Sequence, residues 1–278
     1  MKVLLAKKLG FCLGVERAID AAEKALARGE GEICSLGEII HNRQVVEKLA
    51  ERGLRVIDEA GQARGAVLIR SHGEGPKVFE ALRARGVEII DATCVLVKRA
   101  QQIVAALARE GYRVVVIGQA EHPEVRAVCE YAPDVVCVDR PEELDRLPSG
   151  GKLGIISQTT HSIEHFGEMV GRIVARGYTE VKIVNTLCQE VKRRHSAAVE
   201  LAQSVDVMFV LGGRQSANTR QLARLCEAQG VPTYQLEGWQ DFRPAMAAGR
   251  KTAGVTAGAS TPKWVIEEFV EKLNAFEP

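Results

Sequence analysis

The sequence predicts an α/β protein of three similar small units. Their mostly parallel sheets are expected in a pseudo-threefold, three-lobed assembly about a common centre. Three observations carry that expectation. Cys12, Cys94 and Cys188 each follow a short β-branched, apolar run and open a helical pattern of about four turns. A basic residue stands five positions after each cysteine (Arg17, Arg99 and Arg193), and Gly29 and Gly111 stand seventeen positions after the first two. The next polar strand tips fall at His41, His122 and Ser216, which lie 29, 28 and 28 residues beyond their cysteines. A degenerate repeat of this length marks a recurring supersecondary unit. Parallel sheets also place their sites at the C-terminal tips of strands.

The expected units are 13–93, 94–187 and 188–278, the last joined by an N-terminal strand within 1–12. In the first unit, VLLA reads as a strand and 15–27 as the helix after Cys12. EICSLG is a strand that leads to His41 and Asn42, just before a helix in RQVVEKLAERG. LRVID is a weaker strand, and AVLIR is a strong one with His72 at its tip. Pro76 then suits the first turn of KVFEALRARG. In the second unit, VEIIDAT precedes Cys94, and a helix is expected over 98–109. YRVVVIG ends near His122 and Glu124, the latter at a turn, where Pro123 argues against a continuing helix. DVVCVD and KLGIIS follow; the latter ends at Gln158-Thr159-Thr160, ahead of a helix of about fifteen residues. In the third unit, EVKIVN precedes Cys188 and a helix over 192–202. DVMFVLGG leads into a loop bearing Ser216 and Asn218, with a helix expected from Thr219. After VPTYQL and TAGVTAGAS, which ends at Ser260, a last helix is expected over 262–273, with Trp264 and Phe269 as core anchors.

A chain of 278 residues with 46% hydrophobic content has ample material for cores. A net charge of +1 gives no broad electrostatic case for nucleic acid. The opening MKVLLAKKLGF is too short and charged for a signal peptide, and no apolar run suits a membrane span. Seven cysteines without a CxxC pair point to a reducing cytoplasm rather than a disulfide framework. Cys34, Cys129, Cys137 and Cys226 read as small core hydrophobes.

Three lone cysteines in equivalent positions suit a ligand set better than a nucleophile, which needs one thiolate and one base. Spacing alone leaves two options open: zinc with a histidine as fourth ligand, or a cubane iron–sulfur cluster with one open iron. Each unit adds two polar tips, the second being His72, Thr159 and Ser260. The imidazoles of His41, His72 and His122, with Ser216, Asn218 and Ser260, make a donor-rich set suited to phosphate or diphosphate beside helix N-termini. GGRQSANT reads as a backbone and hydroxyl nest, and it lacks the lysine of a Walker A loop. Glu124 is the candidate acid, with Thr159 to relay or orient its proton. Glu74 is its rival. His161, His165 and His195 lie in helical stretches and read as structural.

GFCLGVERAI, IIHNRQVV, SHG, DATC, EHPEV, QTT, the GG–S–NT pattern and TAGASTP resemble the 4-hydroxy-3-methylbut-2-enyl diphosphate reductase family. That family performs the last step of the non-mevalonate isoprenoid pathway, and the likeness runs from about Cys12 to Trp264. It implies a [4Fe–4S] cluster held by Cys12, Cys94 and Cys188 with one open iron site. It further implies a diphosphate pocket lined by His41, His72, His122, Ser216, Asn218 and Ser260. Glu124 would deliver protons, Thr159 would place the substrate hydroxyl, and His122 would stand among the catalytic groups. The implied reaction is a two-electron reductive dehydroxylation to isopentenyl and dimethylallyl diphosphate. A low-potential donor such as ferredoxin or flavodoxin would drive it, in a cytoplasmic monomer or homodimer without membrane or nucleic-acid partners. The chain departs from the family pattern at DATCVLVKRA, where DATCPLVTK is usual, and at CQEVKRRHS after the third cysteine. A paralogue that reduces another phosphorylated or allylic alcohol, and a non-catalytic iron–sulfur or zinc sensor, are the alternative readings.

Overall fold

The computed structural model describes residues 1–29 and 31–276; residues 277 and 278 at the end of the expected third unit lie outside the described residues. Strand β1 (Lys2–Leu5) leads to helix α1 (Leu13–Arg28). Next come β2 (Ile33–Leu36), α2 (Arg43–Glu51), β3 (Leu54–Ile57), β4 (Ala66–Ile69), α3 (Pro76–Ala84) and β5 (Glu88–Asp91). The second repeat holds α4 (Val95–Arg109), β6 (Arg113–Ile117), α5 (Pro123–Cys129), β7 (Val136–Val138), β8 (Lys152–Ser157), α6 (Ile163–Val174) and β9 (Glu180–Ile183). The third holds α7 (Gln189–Ala202), β10 (Val207–Leu211), α8 (Ala217–Glu227), β11 (Thr233–Leu236), β12 (Thr252–Ala257) and α9 (Lys263–Ala275).

The strands form three four-stranded sheets, ordered β3-β2-β4-β5, β7-β6-β8-β9 and β11-β10-β12-β1. Every pairing is parallel. The three orders are the same, and in each the strand that leads to a cysteine is the same edge strand. The inner strands β2, β4 and β10 are buried at every position, as sheets covered on both faces require. The cysteine-side strands β1, β5 and β9 are partly exposed throughout. β1 pairs with β12, Lys2 opposite Thr252 through Leu5 opposite Val255, so the first strand of the chain completes the last sheet.

The chain forms two compact units. One contains Met1–Glu16, Ile40–Lys48 and the chain from Gln189 onward; the other contains Arg17–Ile39 and Leu49–Cys188. In the first, Phe209, Phe242 and Phe269 pack with Trp239 on one face of the third sheet. Ala198, Met208, Leu222 and Cys226 fill the other face. In the second, Phe166, Met169 and Ile173 of α6 cover one side of the β6–β9 sheet, and Val97, Val104 and Leu107 of α4 cover the other. Cys34, Val67 and Leu82 centre the core of the β2–β5 sheet. Among the described residues, no helix is long and apolar enough to cross a membrane.

The cysteine helices begin earlier than periodicity suggests, at Leu13, Val95 and Gln189 rather than 15, 98 and 192. Their first turns are polar or solvent-facing, so the apolar stripe starts only with Val15, Val97 and Val191, each three residues past its cysteine and each buried. Ala22, Val104 and Ala198, ten past, are buried too. Gly29 and Gly111 take left-handed φ values of 66° and 83° just past α1 and α4, which suits a helix end that a Cβ would strain. The recurrent basic residues Arg17, Arg99 and Arg193 face solvent.

Three local expectations change. The turn expected at Glu124 is the first turn of α5, which Pro123 opens because proline's missing N–H costs nothing there. Asn218 lies inside α8, which starts at Ala217 with Ser216 as its cap. Trp264 is not a core anchor: it is 37% exposed and carries the Lys48 ammonium 3.7 Å above its ring. Phe269, one helical face away, is fully buried. Chemical denaturation should therefore separate the two aromatics. Phe269→Ala should cost about 3–5 kcal/mol through its cavity. Trp264→Ala should cost far less, with the cation–π contact worth about 0.5–1 kcal/mol.

Candidate functional site

In the second unit, two cysteines stand immediately before helices. Cys94 caps α4 and Cys188 directly precedes α7. Both are approached by the same turn. Asp91 Oδ1 accepts from the Thr93 N–H at 3.0 Å, and Asn185 Oδ1 accepts from the Leu187 N–H at 3.0 Å. An Asx side chain that holds the backbone two residues on fixes the chain just ahead of the sulfur. Lys98 from the first turn of α4 adds a 2.6 Å ion pair to Asp91. Burial pushes the Asp91 carboxyl up, but Lys98 and Thr93 outweigh it and leave the group below its ordinary value. The Cys94 N–H donates to the Ser71 carbonyl at 3.0 Å, which ties the β5 edge to the tip that bears His72.

Glu124 is buried in the first turn of α5. Both its oxygens are held by one residue: the Thr159 N–H donates to Oε1 at 2.7 Å, and the Thr159 hydroxyl donates to Oε2 at 2.8 Å. The Thr159 carbonyl in turn accepts from the Cys188 N–H at 2.9 Å. One residue thus links the acid to a cysteine loop. Burial pushes the Glu124 carboxyl above its ordinary value, and the two Thr159 bonds oppose that rise. His122 caps α5 by accepting from the Glu124 N–H at Nδ1, 3.2 Å away, which places its proton on Nε2. Its ring meets His72 edge to face, with centroids 5.4 Å apart. Gln158 holds the neighbouring loop, accepting from the Gln119 N–H and donating to the Thr160 hydroxyl. The rival acid Glu74 is already committed to Arg70, 3.0 Å away. Burial raises its carboxyl despite that partner.

The first unit carries the other predicted residues. Cys12 precedes α1, and its Sγ accepts from the Val15 N–H at 3.5 Å as a helix cap does. Its own N–H donates to the Ala259 carbonyl at 3.1 Å, next to Ser260. The Ser260 hydroxyl donates to the His41 carbonyl at 3.3 Å. Gly213 approaches that same carbonyl so closely that a Cβ would sit 2.6 Å from it. Ser216 caps α8 by accepting from the Thr219 N–H at 3.3 Å. Asn42 does the same for α2 through the Val45 N–H at 3.2 Å. Asn218 is buried, and neither atom of its amide has a hydrogen-bond partner. An unpaired buried amide at the N-terminus of an eleven-residue helix suits an incoming anion.

Sequence reasoning missed Arg194. It is buried at six residues past Cys188, where the other repeats have Ala18 and Ala100. Its guanidinium donates to the Ala257 carbonyl at 3.1 Å, and Glu190 lies 3.7 Å away. The signal was the third repeat's departure from a small residue at that position. Of the four other cysteines expected in the core, Cys129 and Cys137 are only partly buried against it. Cys34 and Cys226 are buried, and burial pushes the thiols of Cys129, Cys137 and Cys226 up to about 11, 12 and 12.

A family model described as LytB protein matches residues 3–274. The 4-hydroxy-3-methylbut-2-enyl diphosphate reductase of Geobacter metallireducens is 43% identical over 279 residues, covering 100% of this chain and 98% of its own length. The protein of that name from Geobacter sulfurreducens matches at the same identity and coverage. A solved structure of (E)-4-hydroxy-3-methyl-but-2-enyl diphosphate reductase, described as the terminal enzyme of the non-mevalonate pathway, matches with a TM-score of 0.74. It is 37% identical and covers 99% of this chain and 100% of that one. The E-1-hydroxy-2-methyl-but-2-enyl-4-diphosphate reductase of Plasmodium falciparum matches with a TM-score of 0.93 at 26% identity, over 98% of this chain and 88% of that one. With a family match over residues 3–274 and relatives 43% identical along its full length, the chain belongs to the LytB protein family.

Proposed function

We propose that this protein is a [4Fe–4S]-dependent oxidoreductase. It converts (E)-4-hydroxy-3-methylbut-2-enyl diphosphate to isopentenyl and dimethylallyl diphosphate by two-electron reductive dehydroxylation. The observation that carries the reading is the Glu124–Thr159–Cys188 link: a buried carboxylate, both oxygens held by one residue, whose carbonyl anchors a cysteine loop. The donor chemistry fits the group. Three cysteines before helix N-termini supply thiolates where negative charge is stabilised. Of the repeat units 13–93, 94–187 and 188–278, with 1–12 joined to the last, the second gives Cys94 and the last gives Cys188 and, through 1–12, Cys12.

Cys12, Cys94 and Cys188 would hold a [4Fe–4S] cluster, which would relay two electrons, one at a time, and supply Lewis acidity. The rest falls to side chains. The unpaired Asn218 amide, the Ser216 and Ser260 hydroxyls and the His41 and His72 imidazoles bind and orient the diphosphate. His122, with its proton on Nε2, serves as both a donor to the anion and a catalytic neighbour of Glu124. Burial favours the protonated form of Glu124, which lets it pass a proton through Thr159 to the departing hydroxyl, so water leaves. A second proton at one of two allylic carbons decides between the two products. Electrons come from a low-potential donor such as ferredoxin or flavodoxin, and the protein works in the cytoplasm as a monomer or homodimer.

Anaerobic purification should yield about four iron and four sulfide per chain, and Cys94→Ser should lose most of both. A zinc-only protein would overturn the reading, and a cluster-loaded protein inactive on this diphosphate would favour a paralogue for another allylic alcohol. The carboxylate's role predicts that Glu124→Gln keeps its iron and its KM within a few-fold, while kcat falls about 10²–10⁴-fold. Thr159→Val removes a bond that holds the Glu124 carboxyl down. The acid form then persists to higher pH, so the alkaline limb of kcat/KM should move upward. A downward move would show that Glu124 does not act as the acid.

A further inference from the structure

Past the ends of β7 and β8, three side chains converge that the proposed reaction does not use. Asp139 follows β7; His161 and His165 lie before and within the first turn of α6. Asp139 Oδ1 is 2.9 Å from His161 Nε2 and 3.4 Å from His165 Nε2, and the three atoms lie within 4.8 Å of one another. The spacing resembles the edges of a metal's donor shell, because ligands ~2.0–2.1 Å from a tetrahedral zinc stand about 3.3 Å apart. All three atoms are shielded from solvent and fall outside strict hydrogen-bond geometry, although both imidazoles stand within ion-pair distance of the carboxylate. Three shielded donor atoms that converge on one point suit a central cation as well as an ion pair.

The surrounding backbone is already fixed. The His165 N–H donates to Ser162 Oγ at 3.1 Å, and the Asp139 N–H donates to Glu143 Oε2 at 2.6 Å. The side chains of His161, Asp139 and His165 remain 13%, 26% and 32% exposed, which leaves an approach for the ion and room for water ligands. We propose that Asp139, His161 and His165 form a two-histidine, one-carboxylate site for a divalent first-row transition ion, separate from the cysteines. Two imidazoles and a carboxylate match zinc, cobalt or nickel better than the all-oxygen ions.

The test is titration of the anaerobically prepared full chain with Zn²⁺, followed calorimetrically, and with Co²⁺, followed by its absorption. Wild type should bind one equivalent through this site, and its thermal midpoint should rise with Zn²⁺. His161→Ala/His165→Ala should lose that equivalent and that rise, and Asp139→Asn, the milder change, should weaken binding about ten-fold or more. Cys188→Ser should retain the equivalent, and the corresponding Co²⁺ spectrum should lack thiolate charge transfer. The proposal fails if the histidine variants bind Zn²⁺ with unchanged stoichiometry and affinity. It also fails if wild type binds none, or if all bound Co²⁺ reports thiolate ligands. Near-UV circular dichroism of the metal-free variants shows that each is folded, so loss of metal is distinguished from loss of structure.

Discussion

Parallel pairing sends every strand of a sheet in one direction, so its C-terminal ends lie along one edge. The candidate chemistry depends on that constraint. His41, His122 and Ser216 each stand five residues past the end of the equivalent inner strand, β2, β6 or β10. His72, Thr159 and Ser260 follow the ends of β4, β8 and β12 within three residues. A cysteine follows each matching edge strand. An antiparallel partner in any sheet would turn one of these tips to the opposite side. The buried inner strands exclude water and keep the pairing intact, so packing and chemistry have one origin.

Two buried ionisable groups sit on this frame, with opposite solutions to the same cost. Glu124 is compensated locally, by a hydroxyl and a backbone amide from one residue and more weakly by His161. Arg194 is compensated by the end of β12 and by its own helix, and it cannot shed its charge. The first arrangement suits a group that gains and loses a proton. The second suits a fixed positive field behind the third cysteine's helix. That helix is also where the sequence departs from the family pattern.

Much of this was legible in the sequence because it rests on period and punctuation. The parallel α/β class, the three repeats, the strand tips and the cysteine positions all follow from apolar runs ended by polar residues. The helix starts were not, since Cys12, Cys94 and Cys188 precede turns whose side chains face solvent and carry no apolar period. The helix that holds Glu124 was missed because proline breaks a helix interior yet fits a first turn. Trp264 was misread because its helix buries Val265, Ile266 and Phe269 and leaves the indole to the Lys48 ammonium. Arg194 and the Asp139–His161–His165 group depend on tertiary placement, which spacing along one helix cannot reveal.

The pairing of β1 with β12 also orders events in time. The first strand of the chain has no partner until the ribosome has made residues 252–257, and the Cys12 N–H has none until Ala259 exists. Cys94 and Cys188 take their backbone partners from segments already synthesised, Ser71 and Thr159. The cysteine made first is therefore the last to be fixed in place. A nascent chain stalled short of β12 would carry two settled thiols and one loose one, together with an unpaired strand open to wrong partners. Strand order alone thus ties the Cys12 loop to the far end of the third repeat.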